Sequence, residues 1–190
     1  VQLRKRPLLI VQFETERLPD RWIWWRIADA AWSNPVDPNF AAERGGRWNP
    51  PESYPTLYLN EDRVTARLNL RAFIARWPYE PEDLRSENGP VLVGATLPRD
   101  QWVCDVHTPD GVRAAGLPRT FPFDRKGRAV DHRTCQAIGE RIKSAGLRGV
   151  RTRSAQTRDG AGRELAWFPA TARSIARPTQ RLGFDDWYWA

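Results

Sequence analysis

Residues 45–70 read GGRWNPPESYPTLYLNEDRVTARLNL. The Gly45–Gly46 pair permits backbone geometry that side chains forbid, and Pro50, Pro51 and Pro55 stiffen the segment up to Thr56. The result is a rigid loop presenting Arg47. TLYLN, 56–60, then reads as a short strand with Leu57 and Leu59 on one face and Tyr58 on the other. Asn60 reads as the cap of a helix whose first turn holds Glu61 and Asp62. That helix is expected over about 61–76, stopped by Trp77–Pro78. Val64, Leu68 and Ala72 share one of its faces, and Thr65, Asn69 and Ala72 or Phe73 share the neighbouring one. Asn69 thus sits at the edge of the buried stripe, where a helix offers one polar group to a cleft.

On either side of this stretch the chain alternates between strand-like and helical pieces. WIWWRI, 22–27, is aromatic and β-prone and carries Arg26. SNPVDPNFAAER, 33–44, is turn chemistry leading into the glycines. PYEPEDLRSENGP, 78–90, is a loop; VLVGATL, 91–97, and QWVCDV, 101–106, read as strands. Residues 107–131, rich in Gly, Pro and charge, are expected to form a long surface excursion. Ile138, Ile142 and Ala145 recur at helical spacing over 134–145, with Gly146 suited to the C-terminal cap. GVRTRSA, 149–155, and ELAWFPA, 164–170, read as strands around a DGAGR turn. The aromatic tail GFDDWYWA is expected to dock. Residues 1–21 form a polar, basic lead-in, and 22–190 a single mixed α+β domain.

Composition narrows the function classes. With 190 residues the chain is long enough for a real core, and most of its ten tryptophans should be structural. A net charge of +7 favours anionic partners, but the basic residues are dispersed, which argues only weakly for nucleic acid; the bland reading is a solvated basic face. Cys104 and Cys135 make no metal motif, and either pair once or stay as free thiols in a reducing compartment. Two histidines, His107 and His132, are too few for a usual zinc site. The apolar run Pro7–Val11 is too short for a secretory core, and no run suits a membrane helix. A soluble, cytoplasmic protein is expected.

WR at 25–26, GGRWNPP at 45–51, LYL at 57–59 with a helix after it, CQAIG at 135–139 and RSA at 153–155 together resemble the RES-domain family. The family is named for an Arg, a Glu and a Ser, and the pieces follow its order over roughly 22–170. The resemblance implies an ADP-ribosyltransferase-like fold, with a central split β-sheet flanked by helices. It implies the toxin of an Xre–RES toxin–antitoxin pair, which destroys NAD⁺ at the nicotinamide–ribose bond by hydrolysis or phosphorolysis. A cognate antitoxin with a DNA-binding domain holds such a toxin inactive. NAD⁺ is then a substrate. No metal, direct nucleic-acid contact or membrane is expected, and oligomers are open through the antitoxin complex.

Carried onto this chain, the family arginines fall on Arg26 and Arg47 and the strand tyrosine on Tyr58. The serine falls on Ser154, or on the hydroxyl just before CQAIG, where Arg133 and Thr134 stand. Counting along the helix, the family glutamate falls on Asn69: the polar position is kept and the charge lost. Ile27 also stands where a Tyr is frequent. The implied catalytic set is Arg47, Tyr58 and Asn69; the implied dinucleotide-binding set is Arg26, Arg47, Tyr58 and Ser154.

Each residue type suits that chemistry. Guanidinium forks match phosphate oxygens, so Arg26 and Arg47 would grip the pyrophosphate from two sides; otherwise each is a surface ion pair. Tyr58 would stack on nicotinamide or bond a ribose, or else be a core tyrosine. Ser154 would bond a phosphate or ribose. Cleavage passes through a ribosyl cation that a carboxylate stabilises, and Asn69 supplies no charge. Either Glu61 or Glu164 supplies it, the enzyme is slow, or the domain binds without cleaving. A nucleic-acid binder, motivated only by charge, is the remaining class.

Overall fold

The structure, a computed structural model, describes residues 12–157 and 160–190. In chain order the strands are β1 (Thr15–Arg17), β2 (Trp24–Ala28), β3 (Leu57–Asn60), β4 (Val91–Thr96), β5 (Trp102–Val106), β6 (Gly149–Arg153), β7 (Arg163–Trp167) and β8 (Arg177–Leu182). The helices are α1 (Asn39–Arg44), α2 (Arg63–Ile74), α3 (Pro109–Ala114), α4 (His132–Ser144) and α5 (Phe184–Tyr188). The strands form one mixed sheet in the order β1-β5-β6-β7-β3-β2-β4-β8, giving the expected α+β domain. Among the described strands only β5 and β6 run parallel, and the crossover between them carries α3 and α4. The sheet splits between β2 and β3, which are joined by the single pair Trp25↔Asn60.

Side-chain alternation sets the layers. Leu57 and Leu59 of β3 join Trp24, Val93, Leu165 and Trp167 in a core on one face. Tyr58 points the other way, against a core built from Trp48, Val150 and Ala166 with Cys135, Ile138 and Ile142 of α4. On that same second face Ala66, Leu70 and Ile74 of α2 pack on Trp25 and Leu92. Trp25 is registered with Asn60, and Ala166 with Tyr58. The two helices therefore lie side by side on one face, over the two halves of the split sheet. The strip between them belongs to β3 and β7.

Several expectations shift. Asp62, not Asn60, caps α2: its side chain accepts from Thr65 N at 2.7 Å. The buried stripe is Ala66, Leu70 and Ile74, which meet Trp25 and Leu92, while Val64 on the face expected to be buried is 55% exposed. Residues 107–131 are no mere surface excursion: α3 forms within them, and Val112, Leu117, Phe121 and Val130 are buried. β1 lies inside the lead-in and pairs with β5, and β8 forms an edge that the sequence pattern did not announce. The tail docks as expected, with Phe184, Trp187 and Tyr188 buried. Cys104 and Cys135 are free and buried, and burial, followed by Asp105, pushes the Cys104 thiol up to about 12. Among the described residues no helix is long and apolar enough to cross a membrane.

The 45–51 loop meets α4 at Gly139. A Cβ there would collide with the carbonyl oxygen of Trp48, which already accepts from Tyr54 Oη at 2.7 Å. Gly139→Ala should therefore cost about 1–3 kcal/mol of overpacking strain, read as a lower midpoint in urea unfolding. An unchanged midpoint would contradict this close approach of helix and loop.

Candidate functional site

The loop that presents Arg47 is pinned on every side. Tyr58 Oη accepts from Trp48 N at 2.8 Å and donates to Asn49 Oδ1 at 2.8 Å. Asn49 is fully buried and its Nδ2 donates to Ala41 O at 2.6 Å. Gln136 of α4 donates to Gly46 O at 2.9 Å. The Tyr58 ring fills the space a Cβ on Gly46 would need. Tyr58 is thus an anchor for the loop: burial, the largest influence, raises its hydroxyl well above the usual range, against the two loop bonds that lower it.

Arg47 stands beside the first turn of α4. Burial first, and Arg47 second, lower His132 below its usual value; at Cys135 burial raises the thiol while Arg47 lowers it. Arg47 Nη1 is buried with no acceptor. A buried donor of this kind costs about 1–3 kcal/mol if left unmet, so this guanidinium is poised for an anion. Thr134 is engaged differently: its Oγ1 donates to the capping Asp131 at 2.9 Å.

From Tyr58 to Asn60 is a step of roughly 7 Å along one face of β3, and at Asn60 a second group gathers around Asn69. Its Nδ2 donates to Asn60 Oδ1 at 2.7 Å and to Glu164 Oε1 at 2.8 Å. Its Oδ1 accepts from Ser154 Oγ at 3.0 Å. Ser154 is fully buried, and its Oγ also accepts from Gln156 N at 3.2 Å. Asn60 Nδ2 donates to Trp25 O at 3.1 Å, tying the network to the one point where β2 and β3 meet. Asn69 also lines a hollow of about 640 Å³ whose walls include Ile27, Trp32, Phe40, Phe73 and Trp77.

The structure therefore brings Tyr58 and Arg47 together, and Asn69 with Ser154 and Glu164, on one strip between α2 and α4. Arg26 is not among them. Alternation sends it to the face of Trp24 and Ala28, where it is 9% exposed. Its guanidinium lies 5.6 Å from the Trp32 ring and donates to Asp37 O at 3.4 Å. Burial lowers it to about 10, against Asp37, which raises it. The two arginines share no hydrogen-bond or ion-pair partner among the described residues: Arg26 packs on Trp32, while Arg47 stands beside α4. Glu61 is spent elsewhere, on Arg151 at 2.6 and 3.0 Å.

Sequence reasoning missed Asn60, Asn49 and Gln136 as members of the site. Asn60 had a signal, since the same period of two that turns Tyr58 inward turns Asn60 inward as well. Asn49 and Gln136 lie inside the GGRWNPP and CQAIG segments that the sequence already singled out, but their individual roles depend on the loop meeting α4.

Residues 23–186 match the profile of the RES domain family. The fold is similar to a chain in the crystal structure of the M. tuberculosis MbcT–MbcA toxin–antitoxin complex, with a TM-score of 0.73 and 20% sequence identity over 93% of this chain and 92% of that one. No curated protein matches the chain by sequence.

An anion at Arg47 would offset the charge that helps to hold His132 down. Saturating sulfate should therefore raise the His132 titration midpoint, followed by NMR, and by linkage sulfate should bind more tightly as pH falls through that midpoint. A midpoint that ignores sulfate would contradict an anion site at Arg47.

Proposed function

This chain belongs to the RES domain family, and we propose that it is the toxin of a toxin–antitoxin pair that cleaves NAD⁺ at the nicotinamide–ribose bond. The observation that carries this reading is the strip itself: a buried, unmet Nη1 on the loop that Tyr58 anchors, and, two residues along β3 at Asn60, a network of amide, hydroxyl and carboxylate groups.

The dinucleotide's diphosphate lies against Arg47 and the first turn of α4, where charge-assisted bonds are strong. The ribose next to nicotinamide lies at Asn69, whose amide the fully buried Ser154 fixes from behind. The adjoining aromatic hollow takes a flat ring, with Arg26 holding Trp32 in its wall rather than touching phosphate. Bond breaking leaves the electron pair with nicotinamide and positive charge on the ribose. Water or inorganic phosphate then adds to that carbon, and the product identifies the acceptor.

The M. tuberculosis neighbour was solved as a toxin–antitoxin complex. By that likeness a cognate antitoxin covers the cleft here; the family resemblance adds that it carries a DNA-binding domain, and a chain of net charge +7 suits an acidic covering segment. A second reading, a dinucleotide-binding module without turnover, draws on Asn69 standing where the family has glutamate.

Incubation with NAD⁺ should release nicotinamide, and Arg47→Ala should lower the rate by roughly 10²–10³-fold with the fold intact by circular dichroism. Tight NAD⁺ binding with no nicotinamide released would favour the second reading; absence of both would contradict the assignment.

A further inference from the structure

We propose that Glu164 supplies, from β7, the negative charge that Asn69 lacks, and that Asn69 is its positioning residue. The inference rests on the NAD⁺ reading above and goes further by naming the acid.

Three observations carry it. Asn69 Nδ2 donates to Glu164 Oε1 at 2.8 Å, so the carboxylate stands next to the position that lost its charge. Glu164 is registered opposite Asn60 and Thr152, which turns it to the same face as Tyr58 and into the strip between α2 and α4. Among the described residues no cation forms an ion pair with it, whereas Glu16 and Glu61 are both held by Arg151. Glu164 is thus a carboxylate of the strip that has not been neutralised within the fold.

The residue pair also makes sense as a unit. Two carboxylates this close would repel, and one would be driven to hold a proton. An amide at 69 avoids that conflict and donates to the acid. The bond engages Oε1 and leaves Oε2 for the substrate. One negative charge is kept; it has moved from helix to strand. As the C1′–N1 bond breaks, nicotinamide departs neutral with the bonding pair, and the cationic ribose faces Glu164. In hydrolysis water adds its oxygen to C1′ and loses one proton to solvent, so NAD⁺ and water give ADP-ribose, nicotinamide and H⁺.

The test compares wild type, Glu164→Gln, Asn69→Glu and the relocated pair Asn69→Glu/Glu164→Gln, each checked for folding by thermal unfolding. Glu164→Gln should lower kcat by roughly 10²–10³-fold with little change in KM. The relocated pair should recover most of that loss, and Asn69→Glu alone should not exceed wild type. Glu164→Gln at the wild-type rate, or a folded relocated pair as slow as Glu164→Gln, overturns the inference. Binding gives a readout without turnover. A carboxylate beside the cationic ring should favour NAD⁺ over NADH by on the order of fivefold, and Glu164→Gln should erase the preference. If wild type binds NAD⁺ but releases no nicotinamide, the cleavage reading fails; Glu164 as the site's charge then stands or falls on that ratio alone. An unchanged ratio overturns it.

Discussion

The molecule turns on one amide. Asn69 makes three side-chain hydrogen bonds from α2, reaching β3 through Asn60, β7 through Glu164 and the end of β6 through Ser154. Asn60 carries the connection to β2 through Trp25. This is where the sheet splits, with a single registered pair between β2 and β3. Buried polar groups must be satisfied or they cost more than they contribute, so the network fixes where the halves of the sheet meet and which groups face the strip. Asn69 is placed by the same bonds that hold the split together, so structure and chemistry share their residues here.

The second element is rigidity delivered by sequence-local means. Glycine, proline and Asn49 shape the loop, while Tyr58 and Gln136 lock it from β3 and α4. Arg47 forms no ion pair among the described residues, and one nitrogen of its guanidinium, Nη1, is a buried donor without an acceptor. Arg26 shows the contrast. It has an aromatic ring and a carbonyl as partners and belongs to a packed wall. The two arginines thus differ in what they can offer a ligand. The difference is the face of the sheet on which each ends.

Much of the fold could be read from the chain because local periodicity and tertiary burial agree. In β3, alternation separated Leu57 and Leu59 from Tyr58, and the two cores divide them the same way. Where a residue's role depends on a distant partner, the reading failed. Asn60 resembles a helix cap in sequence, yet Asp62 takes that role and Asn60 is drawn to Trp25 and Asn69. β8, RPTQRL, has few of the apolar residues that mark a strand, and forms because β4 offers it an edge. The burial of Phe121 and Val130 arises from packing under the 107–131 segment, which composition describes only as polar. Asn69 itself was found by counting along a helix; its link to Glu164 spans β7 and needed the sheet register.

Charge elsewhere sharpens the choice of site. Arg21, Arg99, Arg173 and Arg177 surround a separate hollow of about 410 Å³ beside β4 and β8, a rival position for any phosphate-bearing ligand. It lacks the aromatic walls and the amide–carboxylate network that adjoin Asn69. A crystal structure of the chain with ADP-ribose decides between the two most directly. The diphosphate is expected against Arg47 and the first turn of α4, with the distal ribose hydroxyls bonded to Asn69 or Glu164. Density for ADP-ribose in the four-arginine hollow, with the strip between α2 and α4 empty, would contradict the strip as the dinucleotide site.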